Sequence, residues 1–231
     1  MSFVFPPEQQ PSVAIANSDQ FFPVRRIYCV GQNYADHVRE MGANPDREPP
    51  FFFSKPATAI VANEENVAYP PLTENLHHEV ELVIAIAKQA VNIKPEDSVA
   101  CIFGYAVGND LTRRDIQASA KSKGRPWDVA KGFDQSAPVS TIVPIGQCGE
   151  LRSGAISLSV NGEVKQQGDL SQMIWSVNEI IAELSCYYCL KPGDLIFTGT
   201  PAGVGPLVPG DVVEGSVAGI GALKNYIVAA Q

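Results

Sequence analysis

His77-His78-Glu79-Val80-Glu81-Leu82-Val83-Ile84-Ala85-Ile86-Ala87 carries two patterns at once. Its second half is apolar at every position, as a strand covered on both faces must be, because successive side chains point to opposite sides. Its first half alternates, so Glu79 and Glu81 share one face and Val80 and Leu82 the other. Two like charges side by side near a core are costly unless a positive group neutralises them. A divalent cation does this, and carboxylate oxygens select hard ions such as Mg²⁺, Mn²⁺ or Ca²⁺. A strand end where both glutamates reach solvent or pair with arginines fits the same residues, so this segment leaves the choice open.

Outward from this segment the chain reads as short strands joined by turns. Strands are expected over 26–30, 51–53 (buried), 79–87 and 102–107. Asn161-Gly162, flanked by the runs 156–160 and 163–166, marks a hairpin, since both turn residues need positive φ. Lys191-Pro192-Gly193-Asp194 and Pro209-Gly210-Asp211 are turns leading into strands at 195–198 and 212–217. Helical patterns cover 33–41, 112–123 with Thr112 as its N-cap, and 176–190. The last opens on a Ser176/Glu179 capping box. Among 231 residues, 19 glycines and 18 prolines favour a turn-rich, strand-rich chain over a helical bundle. No linker is visible. The expectation is a single domain of α+β type, mostly β, over 25–231, preceded at 1–24 by an irregular leader or short appended strand.

Composition narrows the function. A net charge of −8 argues against a nucleic-acid partner. The apolar run at 82–87 is far too short to span a bilayer. The N-terminal MSFVFPPEQQ has neither the basic nor the long apolar region of a secretory signal. Five cysteines, an odd number, suit reduced thiols of a cytoplasmic protein.

Four other segments hold chemistry-bearing residues. Asp110 stands at a strand-to-helix junction, where its carboxylate either faces a cavity or caps the helix; Gln117 follows near the same helix start. Arg113 and Arg114 read as surface charges, with carboxylate binding as the alternative. His37 and Glu40 are one helical turn apart, so the carboxylate can orient the imidazole as a general base, or the two form an ordinary surface pair. The helix ends at Gly42 and runs into a loop with Pro45, Pro49 and Pro50, so 33–48 is expected to form a mobile lid. Thr198-Gly199-Thr200-Pro201-Ala202-Gly203-Val204-Gly205 lacks the Gly-Lys-Ser/Thr ending of a nucleotide loop; it is a small-anion site or a tight turn. Cys186 and Cys189 lie inside the 176–190 helix without a second pair, so they read as plain thiols rather than a zinc site. GxSxG and HExxH are absent.

Taken in order, Tyr28-Cys29-Val30-Gly31-Gln32-Asn33-Tyr34-Ala35-Asp36-His37, Phe53-Ser54-Lys55-Pro56, His77-His78-Glu79-Val80-Glu81-Leu82, residues 104–117, Gly124-Arg125-Pro126-Trp127 with Ala130-Lys131, Val160-Asn161-Gly162-Glu163, and 192–205 resemble the fumarylacetoacetate hydrolase family. The resemblance is strongest to its acylpyruvase and fumarylpyruvate hydrolase branch. Gln32 departs from the arginine usual in that motif. The resemblance implies a β-sandwich roll, usually a homodimer, with Mg²⁺ (Mn²⁺ or Ca²⁺ as substitutes) held by Glu79, Glu81 and Asp110. It places His37 with its partner Glu40, Gln117 and Lys131 in catalysis, and Arg114, Thr200, Gly199 and Gln32 against substrate. The implied reaction is hydrolysis of a C–C bond in a 2,4-diketo acid, an acylpyruvate such as fumarylpyruvate, giving pyruvate and a carboxylic acid through a metal-stabilised enolate. Oxaloacetate decarboxylation and hydroxymuconate-type isomerisation or decarboxylation use the same enolate. In a third, non-catalytic reading the carboxylates only bind an ion.

Overall fold

Within the 77–87 segment, Val80–Ile86 forms a strand in which every residue, Glu81 included, is buried. The computed structural model describes residues 2–42 and 47–230. Val80–Ile86 lies inside a six-stranded sheet, antiparallel to Ile102–Asn109 on one side and to Asp194–Phe197 on the other. Asp194–Phe197 then pairs in parallel with Arg26–Gly31, and Phe51–Lys55 and Val143–Pro144 form the two edges. A five-stranded sheet runs in the order Glu163–Asp169, Ala155–Val160, Val212–Val217, Gly221–Val228, Asn66–Ala68.

Alternation along the central strands feeds two cores. Leu82, Ile84 and Ile86 pack with Ile156, Leu158 and Val213 of the second sheet and with Ile180, Ile181 and Leu184 of the helix Val177–Tyr187. Val83 and Ala85 face the other way, onto Val13, Phe22, Ile142 and Phe197. Each such fully buried aliphatic side chain contributes about 1.5–3 kcal/mol. This double burial is why the run 82–87 is apolar without a break.

Several sequence expectations hold as read. Asn161 and Gly162 have φ of 53° and 81° and join Ala155–Val160 to Glu163–Asp169. Ser176 and Glu179 form the reciprocal capping box. Others need correction. Thr112 is not a helix cap: it belongs to a short strand, Thr112–Arg113, paired with Leu76–His78, and its hydroxyl donates to the Asp110 carbonyl at 2.9 Å. The helix starts later, at Arg114–Ser122. The strand expected at 79–87 breaks at Glu79, because Leu76–His78 pairs into a separate ribbon between Thr112–Arg113 and Gly205–Leu207. Phe51–Lys55 is an edge strand, so Phe51 is exposed rather than buried. Cys189 lies past the end of Val177–Tyr187. Within 1–24, Ser12–Ala14 and Phe21–Pro23 pair as a hairpin that places Val13 and Phe22 in the second core. The helix expected at 33–41 is Ala35–Glu40; of the lid expected at 33–48, positions 43–46 lie outside the described residues.

Candidate active site

The break at Glu79 creates the site. Asp110 follows the last residue of the neighbouring strand, and its N–H donates to the Glu79 carbonyl at 2.8 Å. Glu81 stands opposite Gly108. Glu79, Glu81 and Asp110 thereby offer carboxylate oxygens within 4.8 Å of one another, all three buried. Of the residues to which the family resemblance gives roles, all but Glu40 line one cavity of about 40 Å³ there; Arg113 does not line it and instead donates to the Val129 carbonyl at 3.1 Å. That is room for an ion and a few waters. A larger cleft of about 470 Å³, walled by Phe51, Phe53, Pro126 and Trp127, adjoins it and shares Phe53, Trp127 and Lys131.

Cations compensate two of the three carboxylates. Lys131 Nζ lies 2.7 Å from both Glu79 Oε2 and Asp110 Oδ2. Arg114 pairs with the other Glu79 oxygen. Lys55, whose side chain is wholly buried, places Nζ 2.8 Å from Asp110 Oδ1, an ion pair without an aligned hydrogen bond. Burial alone would raise the Glu79 carboxyl, but Lys131 and Arg114 hold it well below the usual carboxylate range. Lys131 stays charged, because Asp110 and Glu79 outweigh the burial that disfavours its ammonium. Among the described residues no ion pair reaches Glu81; its contact is the Gly199 N–H, donating to Oε2 at 2.7 Å. Burial, then the Asp110 and Glu79 charges, push its carboxyl well above the ordinary value. Three hard oxygen donors, one lacking a counter-charge and another with an oxygen that no donor faces squarely, fit a divalent cation.

His37 enters from the helix Ala35–Glu40 and is 6% exposed. Its Nδ1 lies 3.1 Å from Glu40 Oε2, which leaves Nε2 for the cavity. Glu40 is anchored by the Gly203 N–H, at 3.0 and 3.2 Å from its two oxygens. Gly203 has φ +96°, and a Cβ there would lie 2.1 Å from the Lys165 carbonyl oxygen, so only glycine presents its amide this way. The helix start is pinned by Asn33, whose amide donates to the Trp175 and Thr198 carbonyls and accepts from the Trp175 N–H. Gln117 Oε1 accepts from Arg114 at 2.6 Å, so its NH₂ group is left for the cavity. Arg114, read from the sequence as a surface charge, is largely buried and also approaches His77 at 3.4 Å. His77 itself binds Asn75 and stays outside the carboxylate cluster; burial and then Arg114 push it down to about 4.

Lys55, Asn33 and Gln166 were not assigned roles from the sequence. Lys55 and Asn33 fall inside family-like motifs, which marks them without saying what they touch. Gln166 gives no signal: it sits in the polar run Val164-Lys165-Gln166-Gln167, which reads as a solvated strand, yet it is wholly buried.

The profile of the fumarylacetoacetate (FAA) hydrolase C-terminal family matches residues 26–228. The chain belongs to the fumarylacetoacetate hydrolase family. Within this family it is 48% identical over 182 residues to the fumarylpyruvate hydrolase of a Ralstonia species, covering 78% of this chain and 94% of that protein. It is 43% identical over 191 residues to the oxaloacetate tautomerase YcgM of Escherichia coli, covering 82% and 87%. The crystal structure of fumarylpyruvate hydrolase from Pseudomonas aeruginosa, in complex with Mn²⁺ and pyruvate, superposes with a TM-score of 0.97 at 50% identity, over 99% of this chain and all of that one.

Proposed function

We propose that this enzyme, a metal-dependent hydrolase of the fumarylacetoacetate hydrolase family, cleaves the C–C bond of an acylpyruvate, with fumarylpyruvate as the representative substrate. The observation that carries the reading is an oriented base, His37 with Glu40, facing a buried three-carboxylate cluster across one cavity. Glu79, Glu81 and Asp110 hold Mg²⁺, with Mn²⁺ able to replace it. The bound cation supplies Lewis-acid polarisation beside the 2-oxo group and positive charge for the electrons released there.

The chain's own residues account for the rest. His37 Nε2 takes a proton from water while Glu40 holds Nδ1–H. The water oxygen attacks the acyl carbonyl carbon. As that carbonyl oxygen becomes negative, the Gln117 NH₂ donates to it. The bond between the acyl carbon and the methylene carbon then breaks, and its electron pair passes to pyruvate as the enolate. His37 returns the proton to the methylene carbon. Lys131 stands beside the cluster as a fixed positive charge, and the aromatic cleft next to it receives the acyl chain. Arg114 and Gly199 serve the substrate indirectly, through Gln117 and Glu81; Gln32 lines the rim. The homodimer usual in the family and a cytoplasmic location complete the proposal; among the described residues no helix is long and apolar enough to cross a membrane.

The test pairs metal removal with loss of the base. EDTA should abolish acylpyruvate cleavage, and Mg²⁺ or Mn²⁺ should restore it. His37→Ala should slow cleavage by about 10²- to 10⁴-fold with metal affinity unchanged. Full activity in a verified metal-free preparation would overturn the metal site. The similarity to an oxaloacetate tautomerase favours a second reading, in which the same base moves a proton between carbon and oxygen of oxaloacetate. Assaying both substrates side by side separates them: pyruvate released from acylpyruvate marks hydrolysis, and keto–enol exchange without carbon loss marks tautomerisation.

A further inference from the structure

Gln166 is the one fully buried side chain of the strand Glu163–Asp169 and has a partner at every hydrogen-bonding position. Its Oε1 accepts from the Val80 N–H at 3.0 Å and lies 2.9 Å from His78 Nδ1. Its Nε2 donates to the Pro201 carbonyl at 2.8 Å and to Thr200 Oγ1 at 2.7 Å. Two of these partners are backbone groups with no freedom of role: an N–H only donates and a carbonyl only accepts. They fix which way the amide faces, a choice that for most glutamines rests on weaker grounds.

The other two partners must conform. His78 has to carry its proton on Nδ1. Thr200 has to accept from Gln166 on one of its lone pairs, so its own O–H points elsewhere. Among the described residues that O–H has no protein acceptor, while Thr200 is 2% exposed and lines the metal-site cavity. The proton is therefore available to an oxygen atom in the cavity. Val80 lies between Glu79 and Glu81, so the same amide also ties the Thr200 loop to the strand bearing the carboxylates.

We infer that Gln166 is a positioning residue that aims the Thr200 hydroxyl proton at the carboxylate of the bound 2-oxo acid. The inference rests on the proposed function, because it needs a carboxylate ligand beside the cluster. Gln166 touches no substrate; its whole effect passes through Thr200.

A double-mutant cycle tests this, with oxalate as the probe and Mn²⁺ as the metal, each affinity measured by calorimetry. Thr200→Val and Gln166→Met should each weaken oxalate binding by about 10- to 100-fold, the loss of one hydrogen bond to a charged group. The double variant should bind no worse than Thr200→Val, because the two act as one unit. Thr200→Ser should restore binding only when Gln166 is present. Mn²⁺ affinity should be unchanged throughout. Additive losses, or unaltered oxalate affinity in Gln166→Met, would overturn the inference. If Gln166→Met does not fold, the wild-type protein still decides: nitrogen NMR should show His78 protonated on Nδ1 at neutral pH, and the Nε2–H tautomer would overturn it. Failure of the wild-type protein to bind Mn²⁺ or oxalate would instead bring down the functional reading on which this one stands.

Discussion

Lys131 and Lys55 neutralise the same cluster in different ways, and their removal should separate those ways. Lys131 bridges Glu79 and Asp110 on the cavity side. Lys131→Met leaves those carboxylates more negative, so Mn²⁺ should bind more tightly while acylpyruvate cleavage slows; calorimetry and kinetics on one preparation would show the opposite signs. Weaker metal binding would show that Lys131 holds the carboxylates in shape rather than competing for them. Lys55 lies behind Asp110 and donates to the Leu111 and Lys131 carbonyls. Lys55→Met removes one of the two cations that compensate the buried Asp110 carboxylate, with Lys131 remaining, and should cost about 1–3 kcal/mol in urea unfolding of the metal-free protein. Legibility at this scale depends on distance along the chain. The spacing of Glu79 and Glu81 suggested a shared face but left their role open, and Glu79 in fact falls just outside the strand Val80–Ile86. Lys55 was not, because its partner Asp110 is far away in sequence and nothing local separates a buried lysine from an ordinary edge charge.

Among the elements, the helix Val177–Tyr187 offers the cleanest test of local coding. Its capping box involves side chains three residues apart, so it could be read directly, and Ser176→Ala should cost about 1 kcal/mol of stability. Burial raises the Glu179 carboxyl, but the Ser176 N–H and the Arg47 side chain outweigh it, so the group sits below its ordinary value of 4.5. A lowered carboxyl contributes stability above the unfolded value that is lost as pH falls through the folded one. Urea midpoints between pH 7 and pH 3 should therefore fall less steeply in Glu179→Gln than in the wild type. The Thr112 error has the converse cause. Its polar side chain ahead of a helical pattern looks like a cap, but pairing with Leu76–His78 draws it into a strand. Cross-strand pairing of this kind leaves no mark near Thr112 itself.

At the scale of the molecule, a cation held by the cluster should make stability depend on metal. A cation that binds the folded state alone stabilises it by about 2.7 kcal/mol at a hundred times its Kd. Mn²⁺ should raise the Tm, EDTA should reverse the rise, and Glu81→Ala should show neither response; an equal rise in Glu81→Ala would place the ion elsewhere. The mostly β class was visible in the turn residues and the apolar run, whereas the order of strands was not. Asp194–Phe197 lies between Val80–Ile86 and Arg26–Gly31. No local pattern announces that a late strand inserts between two earlier ones. That insertion bears on how the protein is made. While the ribosome is still synthesising the first 190 or so residues, the principal sheet has a gap at its middle, with one open strand edge on each side of it. Only when residues 194–197 emerge can the two halves be joined, and the loop that carries Thr200 and Gly203 follows at once. A nascent chain stalled before that point exposes two sticky edges and has no complete site. Closing the sheet and finishing the candidate cavity are therefore nearly the same event in biosynthesis.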